Sequence, residues 1–483
     1  MEEKNESDRV LNLTLPGNPR YQPKELIEIF GYDYLYRSYI EVEMAAIKTL
    51  YEFGIMPKND FDTIDLNAML AVEKITTSQV DEWERAVTKH DVRALIQIMQ
   101  KIFGPQAGRW VHIPLTSYDV VDTARALQFS RAFKVLEPKI ITVLTQLEEK
   151  IRETATLVQV GRTHGQHALP ITVGFWLATI AQRILFNYLE MERYSDGLVG
   201  KISGAVGSYN AQVGLGINKP GAKNFESAVL EKLGLKPAQI STQILPPEPL
   251  SYFLFSATMM SASFGQFGRD CRHLMRSEIG EVAEAFSSNQ VGSSTMAHKR
   301  NPINFENLEG MWLRTKNEFG KVLDTLISEH QRDLVGSCVA RDLPIIVINL
   351  LHQLNTLLRS DGHGGTFLSN ITVDANRCRQ NLEKSAGLMI AEPLYLALQM
   401  AGYEKDAHHL VNHKLLSYAK KHNISLYQAL IQHDAEDEEL KEVISNIPKE
   451  IKALFERPEE YTGTAASKAL EIANRIYQVF AVN

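Results

Sequence analysis

The sequence predicts an all-α fold in which a central bundle of long helices is flanked by smaller helical domains. Apolar side chains recur at three- and four-residue steps over long stretches, a spacing typical of helices with one buried face. The clearest runs are Leu136, Ile140, Val143, Leu144, Leu147 and Ile151, and Leu177, Ile180, Ala181, Ile184, Tyr188 and Met191. The alternation expected of strands is scarce, and the apolar run 345–351, which would suit a buried strand, has a helical context.

Changes of character along the chain divide it into an arm and three domains. Residues 1–18 have mixed charge and end in a turn-rich segment, so we expect a flexible N-terminal arm there. Residues 19–115 carry short helical patterns, residues 116–371 carry the long ones, and residues 372–483 return to shorter helices. The sequence therefore predicts an N-terminal helical domain, a central long-helix bundle and a C-terminal helical domain.

The central domain is expected to hold five helices. Beyond the two periodic runs, they cover approximately 249–286, 304–329 and 342–368. Several reach about 30 residues, or ~45 Å, a length that suits a bundle packing against copies of itself. Pro138, inside the first periodic run, predicts a kink or a late start of that helix.

Composition and charge are those of an ordinary soluble globular protein. The 483 residues are 44% hydrophobic and 23% charged, and 51 basic against 58 acidic residues give a net charge of −7. No general attraction to nucleic acid or to an anionic membrane is therefore expected. Three widely spaced cysteines indicate a reducing compartment, and the polar N-terminus predicts a cytoplasmic location.

The stretch 292–306 is the most informative part of the sequence for function. It reads Gly-Ser-Ser-Thr-Met-Ala-His-Lys-Arg-Asn-Pro-Ile-Asn-Phe-Glu. It is polar, begins on a glycine and reaches Pro302, which suits the first position of a helix. We therefore predict a mobile loop that leads into a helix. Its serines offer a nucleophile or base beside cations that favour an anion.

Two further segments place histidines among polar residues. His164 and His167 lie in Arg-Thr-His-Gly-Gln-His, and a histidine titrates near neutrality, so it can protonate a leaving group. The same pair could bind a metal, but no third ligand follows at a recognisable spacing, so we predict no metal site. His90-Asp91 would suit a metal-dependent phosphohydrolase only with further spaced His and Asp ligands.

Hydroxyl and guanidinium groups supply candidates for anion binding. Thr116 and Ser117 precede a helical pattern, where they serve either as an N-cap or as an anion site. Arg332 and Arg341 flank Ser337, and the planar guanidinium fits phosphate or carboxylate. As isolated residues these arginines would be ordinary surface cations.

Together these motifs resemble the fumarase/aspartase superfamily and, within it, the adenylosuccinate lyases. The stretch Gly-Ser-Ser-x-Met-x-x-Lys-x-Asn-Pro matches the superfamily signature, while Arg-Thr-His-Gly-x-His-Ala-x-Pro and Thr-x-His-Asp-Val resemble adenylosuccinate lyase motifs. The resemblance implies a central bundle pooled into a tetrameric core with shared active sites. It also implies a nucleotide substrate, release of fumarate from adenylosuccinate and from succinylaminoimidazole carboxamide ribotide, and no cofactor.

The resemblance also implies a role for each matching residue. His164 would be the general acid, Ser293 the base, and Glu306 the group that orients His164. His90 and Lys299 would complete the catalytic set. The substrate-binding residues it implies are Arg20, Tyr21, Asp91, Thr116, Ser117, Thr163, Gln243, Asn301, Arg332, Ser337 and Arg341.

Three departures from the family pattern and two alternatives accompany this interpretation. Ala297 replaces a proline, Tyr118 stands where serine is common, and Ile-Leu-Pro-Pro-Glu-Pro follows Gln243. One alternative is a related lyase acting on argininosuccinate, aspartate or malate, against which the phosphate-directed arginines argue. The other is a non-catalytic structural protein on the same scaffold, against which the intact acid, base and cationic groups argue.

Overall fold

The computed structural model describes residues 21–219, 221, 223–284, 299–434 and 438–481. Helices dominate these residues, which confirms the predicted all-α class. The α-helices are Ile27–Phe30, Arg37–Glu52, Lys58–Phe61, Leu66–Glu73, Thr77–Trp83, Asp91–Gly108, Ser117–Glu153, Val173–Asp196, Asn210–Gly214, Phe225–Lys232, Glu248–Leu274, Ile303–Asp324, Val335–Ala340, Pro344–Leu357, Ala375–Glu383, Ala386–Met389, Ala391–Met400, Ala407–His409, Leu416–His422, Leu426–Asp434, Glu438–Asn446, Lys449–Glu456 and Ala465–Ala481.

Shorter elements complete the secondary structure. Single 3₁₀ turns are Lys24–Leu26, Tyr32–Tyr34 and Pro458–Glu460, and π-helical turns are Glu84–Thr88 and Leu410–Leu415. Antiparallel pairing joins Val158–Thr163 to Gln166–Thr172 and Val282–Ala283 to Thr372–Val373. Val199–Gly200 pairs in parallel with Lys236–Pro237.

The long helices form where the apolar spacing predicts them. All six apolar residues of the first run lie in Ser117–Glu153 and are at most 1% exposed. The six of the second run lie in Val173–Asp196 and are also buried. The stretch 345–351 lies inside the helix Pro344–Leu357, as its context indicates. Burial of one face on each helix is the main source of stability for such elements.

Several helix ends were predicted wrongly. The three later helices of the central domain end at Leu274, Asp324 and Leu357, short of residues 286, 329 and 368. Gly280 follows the first of these ends with a φ of 65°, which an α-helix does not accommodate. The late start allowed for the helix containing Pro138 was also wrong, because that helix begins at Ser117 and runs through the proline.

The chain divides into two compact units by its internal contacts. Unit 1 comprises Met1–Ile140, Phe186–Gly265 and Asn307–Thr356, and unit 2 comprises Ile141–Leu185, Gln266–Glu306 and Leu357–Asn483. Unit 1 has a core built around fully buried residues such as Leu50, Leu95 and Phe225. Unit 2 has a core in its C-terminal segment that includes Leu394, Leu415 and Leu430. The division into domains at residues 18, 115 and 371 stays a prediction.

Among the described residues, one long helical stretch, Val335–Leu357, is strongly apolar. Its length and mean hydropathy of 1.4 would allow it to cross a membrane, but half of it is buried within the protein. Substantial burial of this kind is what a core helix of a globular protein shows.

Candidate active site

His164 lies at the tip of a β-hairpin in unit 2. The strands Val158–Thr163 and Gln166–Thr172 pair so that Thr163 lies opposite Gln166, which leaves His164 and Gly165 as a two-residue turn. Both turn residues have positive φ, 53° and 75°, the geometry of the tight hairpin turns that match strand twist. His164 is exposed there, as is Thr163 beside it. The turn therefore presents an imidazole to solvent on a fixed backbone.

A buried carboxylate anchors this hairpin. Glu281 is fully buried and accepts two hydrogen bonds from the Arg162 guanidinium, at 2.6 and 2.9 Å. Its oxygens also accept from the Gln159 amide at 2.7 Å and the Asn381 amide at 2.8 Å. A bidentate charged pair fixes both position and orientation, so Arg162 anchors the strand that leads to His164.

His167 is held separately on the second strand. Its Nδ1 lies 2.6 Å from Ser385 Oγ, and burial, reinforced by the neighbouring Arg162, lowers its pKa. A lowered pKa favours the neutral imidazole at neutral pH. Across the described residues, no group of three or more His, Cys, Asp or Glu side chains is arranged to hold a metal ion.

A second buried carboxylate anchors the helix Ile303–Asp324. Glu284 is 2% exposed and accepts from the backbone N–H groups of Asn304 and Phe305, at 2.9 and 3.0 Å. It also accepts from the Asn304 side-chain amide at 2.7 Å. A carboxylate bound to free N–H groups at a helix start complements the helix dipole. Burial nevertheless raises the pKa of Glu284.

Three candidate residues lie at or just before this helix start. Lys299 and Glu306 are exposed, and Asn301 is half-buried. The structure thus confirms the predicted helix after Pro302. No hydrogen bond or ion pair joins His164 to Glu306 within the described chain, so their pairing stays a prediction.

Two candidates lie outside the described residues. The first is Ser293, the serine of the motif that the family resemblance assigns as base. The second is Arg20, the first of the arginines assigned to the nucleotide. Their roles stay predictions drawn from the sequence.

In unit 1, His90 caps the helix Asp91–Gly108. Its Nδ1 accepts from the Arg93 N–H at 3.4 Å and lies 3.3 Å from the Asp91 carboxylate. The other oxygen of Asp91 lies 3.8 Å from the Arg341 guanidinium. The structure therefore brings Arg341 to the pair His90-Asp91, which the sequence singles out in a different segment.

Tyr39 lies in the same charged surroundings. Burial raises its pKa to about 12, while the nearby cations Arg125 and Arg341 act in the opposite direction. Its hydroxyl is therefore protonated at neutral pH and can donate a hydrogen bond.

Thr116 and Ser117 stand at the start of the helix Ser117–Glu153, as predicted. The Thr116 N–H donates to Asp119 Oδ2 at 2.8 Å, the reciprocal half of a capping arrangement. Asp119 is fully buried and pairs at 2.5 Å with Lys201, which is also fully buried. The buried ion pair between Asp119 and Lys201 thus holds the start of this helix in place.

Arg332 lines a cavity of about 120 Å³ within unit 1. Arg332 Nη1 donates to Gln243 Oε1 at 2.9 Å, and the Arg332 guanidinium lies 3.4 Å from the centre of the Tyr118 ring. Ser337, in the helix Val335–Ala340, lines the same cavity. Tyr21 is held elsewhere in unit 1, edge-on to the His352 ring at 5.3 Å.

Sequence reasoning missed the residues that hold these groups in place. Glu281 and Glu284 precede the serine motif, Asp119 follows the Thr116-Ser117 segment without having been singled out, and Lys201 belongs to no recognised pattern. The available signal was a pair of acidic residues three positions apart in the otherwise apolar segment 281–284. The partner of Glu281 is Arg162, which lies far away in the sequence.

Comparison with known proteins identifies the relatives of this chain. A family model described as "Lyase" matches residues 22–315. A protein named adenylosuccinate lyase from Archaeoglobus fulgidus is 30% identical over 472 residues, which are 96% of this chain and 99% of the relative. One of the same name from Pyrococcus horikoshii is 32% identical over 476 residues, covering 96% of this chain and 97% of the relative.

Solved structures agree on the fold. A fumarate lyase from Mesorhizobium sp. BNC1 matches with a TM-score of 0.78 and 21% identity, covering 94% of this chain and 98% of that chain. The family model covers the hairpin and the helices Ser117–Glu153, Val173–Asp196 and Glu248–Leu274, and each of the two relatives matches 96% of the chain. The chain therefore belongs to this lyase family of the fumarase/aspartase superfamily.

Proposed function

We propose that this protein is an adenylosuccinate lyase. It would eliminate fumarate from adenylosuccinate to give AMP, and from succinylaminoimidazole carboxamide ribotide to give the carboxamide ribotide. The observation that carries the proposal is the match, over 96% of the chain, to two proteins named adenylosuccinate lyase. The exposed His164 on an anchored turn supports it, because the reaction needs a positioned acid.

The chemistry assigns one task to each group. Ser293 removes the proton from the carbon beside the succinyl carboxylate, the C–N bond breaks, and His164 gives its proton to the departing nitrogen. Lys299 and Asn301 hold the carboxylate whose negative charge grows in the transition state. Glu306 orients His164, and His90 contacts the substrate. One proton is removed, one C–N bond is broken and one proton is donated, so the elimination needs no cofactor.

Unit 1 supplies the groups for the nucleotide. Arg332, Ser337 and Arg341 bind the phosphate, with Arg20 and Tyr21 from the N-terminal segment. Gln243, Thr116, Ser117 and Asp91 bind the remaining polar groups of the substrate, and Thr163 of unit 2 is also assigned to the substrate. The presence of Arg332 and Ser337 at one cavity, together with the hydrogen bond from Arg332 to Gln243, supports this assignment.

The active enzyme is a homotetramer with shared sites. Support comes from the helix Glu248–Leu274, on which Tyr252, Phe255 and Met259 are spaced along one face and are 52%, 46% and 39% exposed. Large apolar side chains exposed in a row mark a surface that another chain covers. We place this enzyme in the cytoplasm, with neither nucleic acid nor membrane as a partner.

An assay of fumarate release tests the function. Purified protein is given adenylosuccinate, argininosuccinate, aspartate and malate in turn, and fumarate is followed by ultraviolet absorbance. We expect turnover of adenylosuccinate with AMP as the second product. Turnover of argininosuccinate alone would identify a related lyase, and no turnover of any substrate would identify a scaffold protein. Ser293→Ala is the control for adventitious activity.

A further inference from the structure

Tyr118, which departs from the family pattern, makes direct contact with the proposed binding residue Arg332. It is the second residue of the helix Ser117–Glu153 and is half-buried. The Arg332 guanidinium carbon lies 3.4 Å from the centre of its ring, so the two planar groups are in van der Waals contact. A cation over an aromatic face is held by the ring quadrupole as well as by dispersion.

The hydrogen-bond donors of Arg332 are unequally available. Nη1 donates to Gln243 Oε1 at 2.9 Å, and Nε is buried without a hydrogen-bond partner in the described part of the chain. A guanidinium has five N–H groups. The donors left for a ligand are therefore the two on Nη2 and the second one on Nη1.

Tyr118 and Arg332 also line the same cavity. Ser337 contributes a hydroxyl to that cavity, while Leu245 and Pro246 contribute apolar walls. The guanidinium is thus fixed on one face by the ring and on one edge by Gln243. Its remaining end is the part free to meet an anion.

We propose that Tyr118 is a positioning residue that sets the affinity for an anionic group of the substrate by fixing the Arg332 guanidinium with its Nη end toward the ligand. This inference rests on the proposed function, in which Arg332 binds the nucleotide phosphate. Removing the ring frees the guanidinium to rotate, and ordering it again on binding costs affinity. The chemical step, which takes place at the succinyl group, is left unchanged.

Two variants of Tyr118 and one matched control test this inference. Tyr118→Leu removes the ring but keeps apolar bulk, and Tyr118→Phe keeps the ring without the hydroxyl. Tyr34→Leu removes another tyrosine of unit 1 whose ring lies 4.1 Å from an arginine, Arg37, and which does not line the cavity. The readouts are kcat and KM for adenylosuccinate and, separately, the Kd for AMP by calorimetry.

We expect Tyr118→Leu to raise both KM and the Kd for AMP by roughly three- to thirty-fold, with kcat nearly unchanged, which is the range between an exposed and a desolvated cation–π contact. Tyr118→Phe and Tyr34→Leu should resemble the wild type. Thermal unfolding of each variant identifies any loss of folded protein.

Three results would overturn the inference. They are an unchanged KM and Kd in Tyr118→Leu, an equal loss in Tyr118→Phe, and a fall in kcat without a change in affinity. Failure of the proposed function looks different, because the wild type itself then releases no fumarate from adenylosuccinate. In that case the calorimetric arm still decides whether Tyr118 governs binding of a nucleotide phosphate.

Discussion

The proposed catalytic groups of unit 2 and the Arg341–Asp91 pair of unit 1 are held in different ways. In unit 2, the hairpin carrying His164 and the helix start near Asn301 are each tied to a buried glutamate, Glu281 or Glu284. In unit 1, Arg341 and Asp91 hold one another at 3.8 Å, with 59% and 30% of their side chains exposed.

A group that must stay in one position and a group that must bind a ligand are therefore held by different kinds of interaction. A buried charge pair costs desolvation but, once formed, has few alternative geometries, which suits groups that must meet a transition state. An exposed pair contributes little to stability, which leaves its members free to exchange partners for a ligand. We therefore expect mutations in the two regions to affect different measurable quantities.

The largest effect is expected for His164→Asn. Asparagine tolerates positive φ, so the turn survives while the proton donor is lost. We expect kcat to fall by about 10²- to 10⁴-fold with little change in KM. Steady-state kinetics of fumarate release provide the measurement. His167→Asn, in the same hairpin, is the control and should retain most of the turnover; an equal loss in both variants would contradict the assignment of His164 as acid.

A smaller effect, on stability, is expected for Glu281→Gln. The change leaves the Arg162 guanidinium partly buried without its countercharge, so the free energy of unfolding should fall by about 3–5 kcal/mol. Urea unfolding at one fixed protein concentration measures it. Glu278→Gln is the control, because Glu278 pairs with Arg276 at 2.7 Å but is 61% exposed, and its loss should be below about 1 kcal/mol. Equal losses would show that Glu281 does not anchor the hairpin.

The smallest effect is expected for Arg341→Ala. Losing one charged hydrogen bond to the substrate should raise KM about tenfold, with kcat nearly unchanged. Stability should be almost unaffected, since the ion pair with Asp91 is long and solvated. Arg37→Ala, which removes a comparable exposed pair at 3.6 Å to Glu28, should change neither KM nor stability. A loss confined to kcat would refute the binding role and weaken the contrast between the two units.

The long helices were predictable from sequence because their buried faces repeat at the helical period over many turns. The hairpin could not be predicted, because its first strand does not alternate between buried and exposed residues. Gln159 is buried next to Val160, and its amide donates to Glu281. Likewise, the motif around His164 could be recognised, because its residues are adjacent in the sequence. Its anchor Glu281 could not, because the ion pair with Arg162 joins residues 119 positions apart.

Asp119 has a further consequence for the dynamics of unit 1. Its carboxylate accepts from the backbone N–H groups of Thr116, Ser203 and Gly204, and Ser203 Oγ lies 2.7 Å from Ser241 Oγ, two residues before Gln243. Segments far apart in the chain thus share one internal acceptor. These amides are expected to exchange with deuterium as a single cooperative group, so that local opening there would dismantle the proposed ligand-binding surface all at once.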